Sequence, residues 1–349
     1  MGEEGFFDLE LFFPHIPNFF KRYKEQGIMK KTQRTENPYK NSDTNKRYFT
    51  YEYYLRKKYG RKLARIPLDM GLSCPNIDGK CGVGGCIYCS SRGSGDFVEN
   101  ASLSLFEQYE DGRKKLSAKW DTSHCIAYFQ AHTNTYASLN FLKSNFEQAL
   151  HFEGVDAMSI ATRADCLDED ICAYLGELAD RISLTVELGL QSTSDKTAEF
   201  INRGHTFAEF CEGYERLRRA SDKIEICVHI ILGLPGESEC DMLKTVSDVA
   251  KLMPNQVKIH LLHVIRGTVM EEIYNRGEYI PLTKEEYVSL AVKALELLPC
   301  DTVVARITGD GYPDDLIAPE WSRKKVSVIN DIDKLLYEKN TYQGRLWIG

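Results

Sequence analysis

Six times between residues 63 and 265 the chain passes from a short apolar run into a polar connection and then a segment of helical period. The strand runs are 63–70, 124–129, 155–161, 182–190, 224–232 and 257–265. Leu139, Leu142, Phe146 and Leu150 share one helical face after the second run. A helix follows Asp168, Thr206-x-x-Glu209 has the pattern of a capping box, and another helix covers about 239–253. Repeated βα units imply parallel strands joined by right-handed crossovers. Six units are too few to close an eight-stranded barrel. The expected fold is therefore α/β, an open, partial (β/α)6 barrel over 46–266.

Two flanking segments have a different character. Residues 1–45 are broken by Pro14 and Pro17 and then become rich in Lys, Arg, Asn and Ser, which predicts a basic N-terminal extension that is partly disordered. Tyr48, Tyr51, Leu55 and Tyr59 then fall at helical spacing, with Gly60 placed to end the helix. Residues 267–349 form a small C-terminal α+β addition, with a helix at 285–298, a strand at 302–307, the turn Thr308-Gly309-Asp310-Gly311 and a helix at 326–339.

The chemistry concentrates between the first strand and the next helix. Residues 74–89 place Cys74, Cys86 and Cys89 at C-x11-C-x2-C spacing, with Cys81 between. Gly82-Val83-Gly84-Gly85 lets the backbone fold back over a bound centre without a Cβ clash. Thiolates two residues apart in a reducing compartment signal metal or redox chemistry rather than a disulfide framework. Structural zinc takes four protein ligands, usually as two separated pairs. This chain has no second C-x2-C. An iron–sulfur cube held by three thiolates leaves one iron open. Zinc, a redox pair and the three-thiol cluster all remain candidates on spacing alone.

The chain carries a formal charge of −7, unevenly placed. Residues 21–65 hold 15 Lys and Arg against 4 Asp and Glu, so the rest of the chain is strongly acidic. Tyr48, Phe49, Tyr51, Tyr53 and Tyr54 interleave with those cations. The combination suits phosphate pairing and base stacking, and equally a solvated helix whose tyrosines pack on the domain. No apolar run reaches the length of a membrane span, the stretch 6–20 lacks the form of a signal peptide, and eleven irregularly spaced cysteines fit a cytoplasmic protein.

Asp69-Met-Gly-Leu-Ser-Cys-Pro-Asn-Ile-Asp-Gly followed by Gly84-Gly85-Cys86-Ile-Tyr-Cys89 resembles the cluster loop of the YhcC/YtqA-type radical SAM proteins, relatives of the radical SAM domain of the Elongator catalytic subunit. The resemblance spans about 48–333. It implies a [4Fe-4S] cluster on Cys74, Cys86 and Cys89, and S-adenosylmethionine on the open iron. Cys81 has no counterpart in the pattern and is read as a spare thiol, since a fourth thiolate would block the cofactor. Tyr88, within the loop, is counted with the cofactor-contacting residues.

The same resemblance gives roles to residues at the strand ends. Gln130 and Asn134, in the polar run after the second strand, become candidates for the methionine amino group. Arg163 follows the third strand in Thr162-Arg163-Ala164-Asp165, where the family pattern has Arg-Pro-Asp. It is a candidate for the cofactor carboxylate, with pairing to Asp165 as the alternative. Glu187 and Gln191 are assigned to the ribose and methionine region, although a carboxylate inside an apolar strand also predicts a salt bridge. Gly233 and Leu234 belong to the adenine-contacting strand end. His260 and His263 lie at odd separation and point to opposite faces.

The implied activity is reductive cleavage of S-adenosylmethionine to a 5′-deoxyadenosyl radical. The implied substrate is the C5 substituent of wobble uridine in tRNA, in a carboxymethylaminomethyl to aminomethyl type of reaction. The partners are tRNA, through the basic 21–65 arm, and a reducing protein such as flavodoxin or ferredoxin. A radical enzyme acting on a protein or metabolite, and a non-catalytic iron–sulfur or zinc RNA-binding module, are the alternatives. Acetyl transfer and methylthiolation each need a further domain that this length and cysteine pattern do not supply.

Overall fold

The computed structural model describes residues 36–93, 102–309 and 314–349. Expectations for residues 1–35, and for Asp310-Gly311 of the polar turn, fall outside them. Pro38 to Gly349 form one compact unit.

Seven parallel strands form one sheet: β1 (Ala64–Leu68), β2 (Cys125–Phe129), β3 (Val155–Thr162), β4 (Ser183–Gln191), β5 (Glu225–Leu232), β6 (Gln256–Leu261) and, last in order, a strand at Val303–Arg306. Helices connect them: α2 (Leu105–Ser117), α3 (Leu139–Ala149), α4 (Glu169–Ala179), the pair α5 (Asp195–Phe200) and α6 (Phe207–Ala220), then α7 (Glu239–Lys251). α1 (Tyr51–Tyr59) precedes the first strand. Side-chain caps at Ser104, Ser138, Asp168, Thr206 and Ser238 start these helices where the connections end. The Thr206–Glu209 capping box is fully formed.

The sheet curls into a half-barrel. Lys258 Nζ on β6 lies 3.2 Å from the Tyr128 hydroxyl on β2. Strands four apart in a flat sheet are separated by about 19 Å, too far for two parallel side chains to meet. The contact is possible because both point into the concave face. The convex face is apolar, and Val186, Leu188, Val228 and Ile230 pack there with Leu175, Leu217 and Val246.

After β6 come β7 (Val264–Ile265), α8 (Val269–Asn275), α9 (Lys284–Leu297) and β8 (Val303–Arg306), followed by β9 (Leu316–Ala318) and α10 (Lys325–Glu338). β8 corrects an expectation. Its residues were assigned to the C-terminal addition, but it pairs in parallel with β6 and extends the barrel sheet to seven strands. The β7–α8 insertion separates the strand from its predecessor, which hides the seventh βα unit in the sequence. β7 and β9 form a separate antiparallel pair.

α1 closes the barrel at the N-terminal ends of the strands. Tyr59 donates its hydroxyl to Ser183 Oγ at 2.7 Å, Tyr54 bonds Glu225 at the start of β5, and Thr50 bridges to Val304. Leu55 packs with Leu63, Ile126 and Ala157, with Tyr51 and Tyr54 against that cluster. The base-stacking alternative for these aromatics is thereby corrected. Tyr48 and Phe49 are buried in the core, and α1 fills the mouth opposite the cysteine loop. Many cations of this stretch are already paired, as in Arg56–Asp43, Lys58–Glu225 and Lys46–Asp333.

Candidate active site

The cysteine loop leaves the C-terminal end of β1 and is fastened to the segment that follows α5. Asn202 Nδ2 donates to the carbonyls of Val83 at 2.9 Å and Gly85 at 2.7 Å, and Asn76 Nδ2 donates to the Asn202 carbonyl at 2.7 Å. Gly85 adopts φ 76° and donates its N–H to the Asn76 carbonyl, a left-handed turn that glycine makes without strain. Asn202 was not singled out in the sequence. Its one signal is an isolated Asn before Arg203-Gly204, and it adopts φ 54°.

Cys74, Cys86 and Cys89 are half-buried. Two polar groups address their sulfurs: Thr133 Oγ1 lies 3.1 Å from Cys74 Sγ, and Asn76 Nδ2 lies 3.3 Å from Cys86 Sγ. Hydrogen bonding from Cys89 above all, helped by Asn76 and Tyr88, outweighs burial and lowers the Cys86 thiol. Burial raises the Cys74 thiol against the pull of Thr133. Cys81 is exposed, lies 3.7 Å from Arg163 Nη2 and faces Gly204, with Arg163, Asp165 and Lys80 as its principal electrostatic neighbours.

Among the described residues no three His, Cys, Asp or Glu side chains converge on a single metal ion. A cube spreads its thiolates around an inorganic core, and hydrogen bonds to the sulfurs tune it. Three half-buried thiols, two of them with such donors, fit that group, and Cys81 lies beside Arg163 and Gly204.

The rim residues divide. Gln130 directly follows β2 and is buried, while Gln191, at the end of β4, is partly exposed with φ 64°. Tyr88 neighbours Cys86 and Arg203. Arg203 is fully buried, donating to the carbonyls of Ser192 at 2.6 Å and His205 at 2.7 Å. Asn134 is fully buried and spends its amide N–H groups on the carbonyls of Ala131 and Ala161, while its Oδ1 is buried without a hydrogen-bond partner. Arg163 pairs with Asp165 at 2.7 Å and donates to the Arg203 carbonyl at 2.6 Å, which is the alternative open in the sequence. Gly233 donates its N–H to Met242 and accepts the Tyr279 hydroxyl at 2.7 Å, while Leu234 is a core residue packed with Ile201 and Met270.

Glu187 has the salt bridges that a carboxylate inside an apolar strand predicts. It is 1% exposed and lies inside the barrel, bonded to Lys258 and Arg65, to Tyr128 at 2.9 Å and to His229 at 3.0 Å. Burial would raise its carboxyl, but Lys258 and Arg65 prevail and hold it well below the usual range. Burial lowers Lys258 to about 8, against the opposing pull of Glu187. The His229 and His260 rings lie 5.4 Å apart beside this group. Burial lowers His229 to about 4. Sequence reasoning passed over Arg65, Tyr128, Lys258 and Arg306. Their signal is polar residues interrupting otherwise apolar strands.

With the thiols and rim at one end of a parallel half-barrel and an ionic group buried inside it, the chain belongs to the radical SAM superfamily. The model of that superfamily matches residues 79–249, and that of the radical SAM C-terminal domain matches 254–338. Within it the chain is one of the YhcC/YtqA-type proteins. It is 43% identical to the uncharacterized protein YtqA of Bacillus subtilis, over 89% of this chain and 96% of that one. A shorter similarity, 32% over 158 residues, covers 44% of this chain and 28% of a tRNA uridine(34) acetyltransferase of Methanocaldococcus jannaschii. Among solved structures, Elp3 of Methanocaldococcus infernus superposes with a TM-score of 0.61 at 17% identity, covering 80% of this chain and 64% of that one. The last likeness speaks to fold alone. As a radical SAM enzyme the protein uses a [4Fe-4S] cluster and S-adenosylmethionine.

Proposed function

We propose that Cys74, Cys86 and Cys89 hold the cluster and that the enzyme modifies the C5 substituent of the wobble uridine in tRNA, converting carboxymethylaminomethyl to aminomethyl. When bound, the cofactors would supply a 5′-deoxyadenosyl radical to take one hydrogen atom from the carbon between amine and carboxylate; return of a second electron to the oxidised cluster and hydrolysis of the resulting imine would release the carboxymethyl group as glyoxylate and leave the aminomethyl amine. The chain's own residues do the positioning. Thr133 and Asn76 orient the Cys74 and Cys86 sulfurs. Asn202 pins the loop, and α1 seals the far end of the barrel against water. Tyr88, Gln130 and Gln191, on the rim, are the residues we assign to cofactor contact, and a small reducing protein such as flavodoxin or ferredoxin supplies the electron.

The similarity to an enzyme of tRNA uridine 34 carries the substrate reading. Nucleoside mass spectrometry of tRNA from cells with and without this gene tests it. Accumulation of the carboxymethylaminomethyl nucleoside in the deleted strain is expected, and an unchanged C5-uridine profile would remove the assignment. One observation favours a non-RNA substrate instead. Several described cations of the 21–65 arm, Arg56, Lys58 and Lys62 among them, are already paired with carboxylates. That second reading requires tRNA binding to be weak at low salt and nearly insensitive to added salt.

A further inference from the structure

The end of the barrel away from the cysteine loop carries a cavity that the chemistry at that loop does not use. It measures about 440 Å³ and lies where α1 meets the starts of β5, β6 and β8. Phe49, Tyr54 and Lys57 line it from α1 and the residues before it. Met253, Asn255 and Asp301 line it from the loops that enter β6 and β8. A volume of this order holds a small organic molecule. The strand starts of a parallel barrel ordinarily serve stability, so polar groups kept there without partners need another reason.

Three groups of this kind line the cavity. Lys57 forms no ion pair among the described residues, and its ammonium stands over the Phe49 ring at 5.9 Å to the centroid. The Asp301 carboxylate pairs with no cation among the described residues either. Its loop is firmly held: the Cys300 carbonyl accepts the Tyr39 hydroxyl at 2.6 Å and Asn41 Nδ2 at 3.1 Å, and Gln343 Nε2 donates to the carbonyls of Pro299 and Thr302. Asn255 Oδ1 accepts the Ile226 N–H at 2.9 Å, which fixes the amide and leaves Nδ2 without a partner among the described residues. Single exposed charges are ordinary. A cation and a carboxylate that line one cavity over apolar side chains, yet do not pair with each other, leave room for a molecule bearing both charges. Met253 points the same way. It takes the left-handed position after α7, φ 52°, where glycine is the usual choice, and its side chain is 51% exposed at the cavity.

We propose that this cavity binds a free α-amino acid with an apolar side chain. Lys57 and Asn255 Nδ2 take its carboxylate, Asp301 takes its ammonium group, and Phe49, Tyr54 and Met253 receive its side chain. Each unpartnered polar group then meets its opposite, and the flexible Met253 thioether adapts to the bound side chain. A phosphate or dicarboxylate is disfavoured by Asp301, and a polycation by Lys57. The end of a partner's polypeptide carries only one of the two charges. The bound molecule ties α1 to the loops that enter β6 and β8, so it stabilises the closed end of the barrel. The site lies apart from the cysteine loop and does not depend on the tRNA reading.

The test titrates cluster-loaded full-length protein by calorimetry, with S-adenosylmethionine saturating so that the cofactor site is filled. The probes are L-phenylalanine, N-acetyl-L-phenylalanine, L-phenylalaninamide and L-alanine. L-Phenylalanine is expected to bind with a submillimolar Kd, and the other three at least tenfold more weakly. Lys57→Gln and Asp301→Asn, both at exposed positions, should each weaken phenylalanine at least fivefold while leaving the melting temperature of the unliganded protein in place. Met253→Ala should narrow the gap between phenylalanine and alanine. Absence of phenylalanine binding would overturn the proposal, as would equal binding of the N-acetyl acid or the amide, or an affinity that survives both Lys57→Gln and Asp301→Asn. The nucleoside profile of deleted cells bears on none of these outcomes, so the site and the tRNA reading fail separately.

Discussion

Thr133 presents its hydroxyl 3.1 Å from Cys74 Sγ, from a loop whose polar residues look interchangeable in the sequence. A hydrogen bond to a thiolate stabilises the more negative, reduced cluster less if it is removed. Thr133→Val keeps the shape and deletes the donor. The cluster potential should fall by on the order of 50 mV, taking a charged hydrogen bond at its usual strength, and spectroelectrochemistry on reconstituted protein reads this directly. An unchanged potential would mean that the hydroxyl serves the loop instead. The four loop thiols make a second contrast. Cys81 faces Gly204 and Arg163, so Cys81→Ser should retain about four irons per chain. Cys74→Ser, Cys86→Ser or Cys89→Ser should each lose most of the iron. Loss in the Cys81 variant would show that it is a ligand.

At the level of elements, α1 is the case where composition misleads. Five aromatics among lysines and arginines suggest a nucleic-acid surface, yet they close the barrel, because rings are the side chains bulky enough to fill its mouth. Leu55 is 5% exposed at the centre of that closure. Leu55→Ala should cost about 2–5 kcal/mol of stability. Urea unfolding measures it, and a cost below about 0.5 kcal/mol would show that the helix is only draped on the barrel. The alternation of apolar strands with helices made six of the sheet strands legible. β8 was found as a strand but misplaced, because the insertion of β7 and α8 interrupts the rhythm that identifies a βα unit. The cysteine loop was legible since its spacing is local. The ionic group was not, because Arg65, Tyr128, Glu187 and Lys258 lie far apart in sequence and meet only when the sheet curls. Asn134 and Arg163 were noticed correctly as unusual, but their partners are backbone carbonyls and a neighbouring Asp that no pattern announces.

Across the whole molecule, buried ionisable groups make acid the direction of weakness. Glu187 is held well below the carboxylate range, first against the raising effect of burial and then through Lys258 and Arg65. The stability it lends is present above the ordinary carboxyl pKa and is lost as pH falls through its lowered value. His229 and His205 act in the same sense. Burial lowers His229 to about 4 and His205 to about 2, with Arg203 and Arg163 adding to the effect on His205. Between its ordinary value of about 6.5 and its folded value, each histidine binds a proton more readily in the unfolded chain. Stability therefore falls with pH by about 1.4 kcal/mol per unit for each of them. The unfolding free energy should hold near neutrality, start to drop below about pH 6.5 and decline most steeply between about pH 6 and pH 4, where His229, His205 and His260, which burial also lowers, all contribute. His229→Gln, which retains a hydrogen-bonding side chain beside Glu187 without titrating, should flatten that limb by about a third. Urea melts at closely spaced pH values decide the matter. A flat profile from pH 7 to pH 4 would show that the barrel interior is hydrated well enough to protonate its histidines without unfolding.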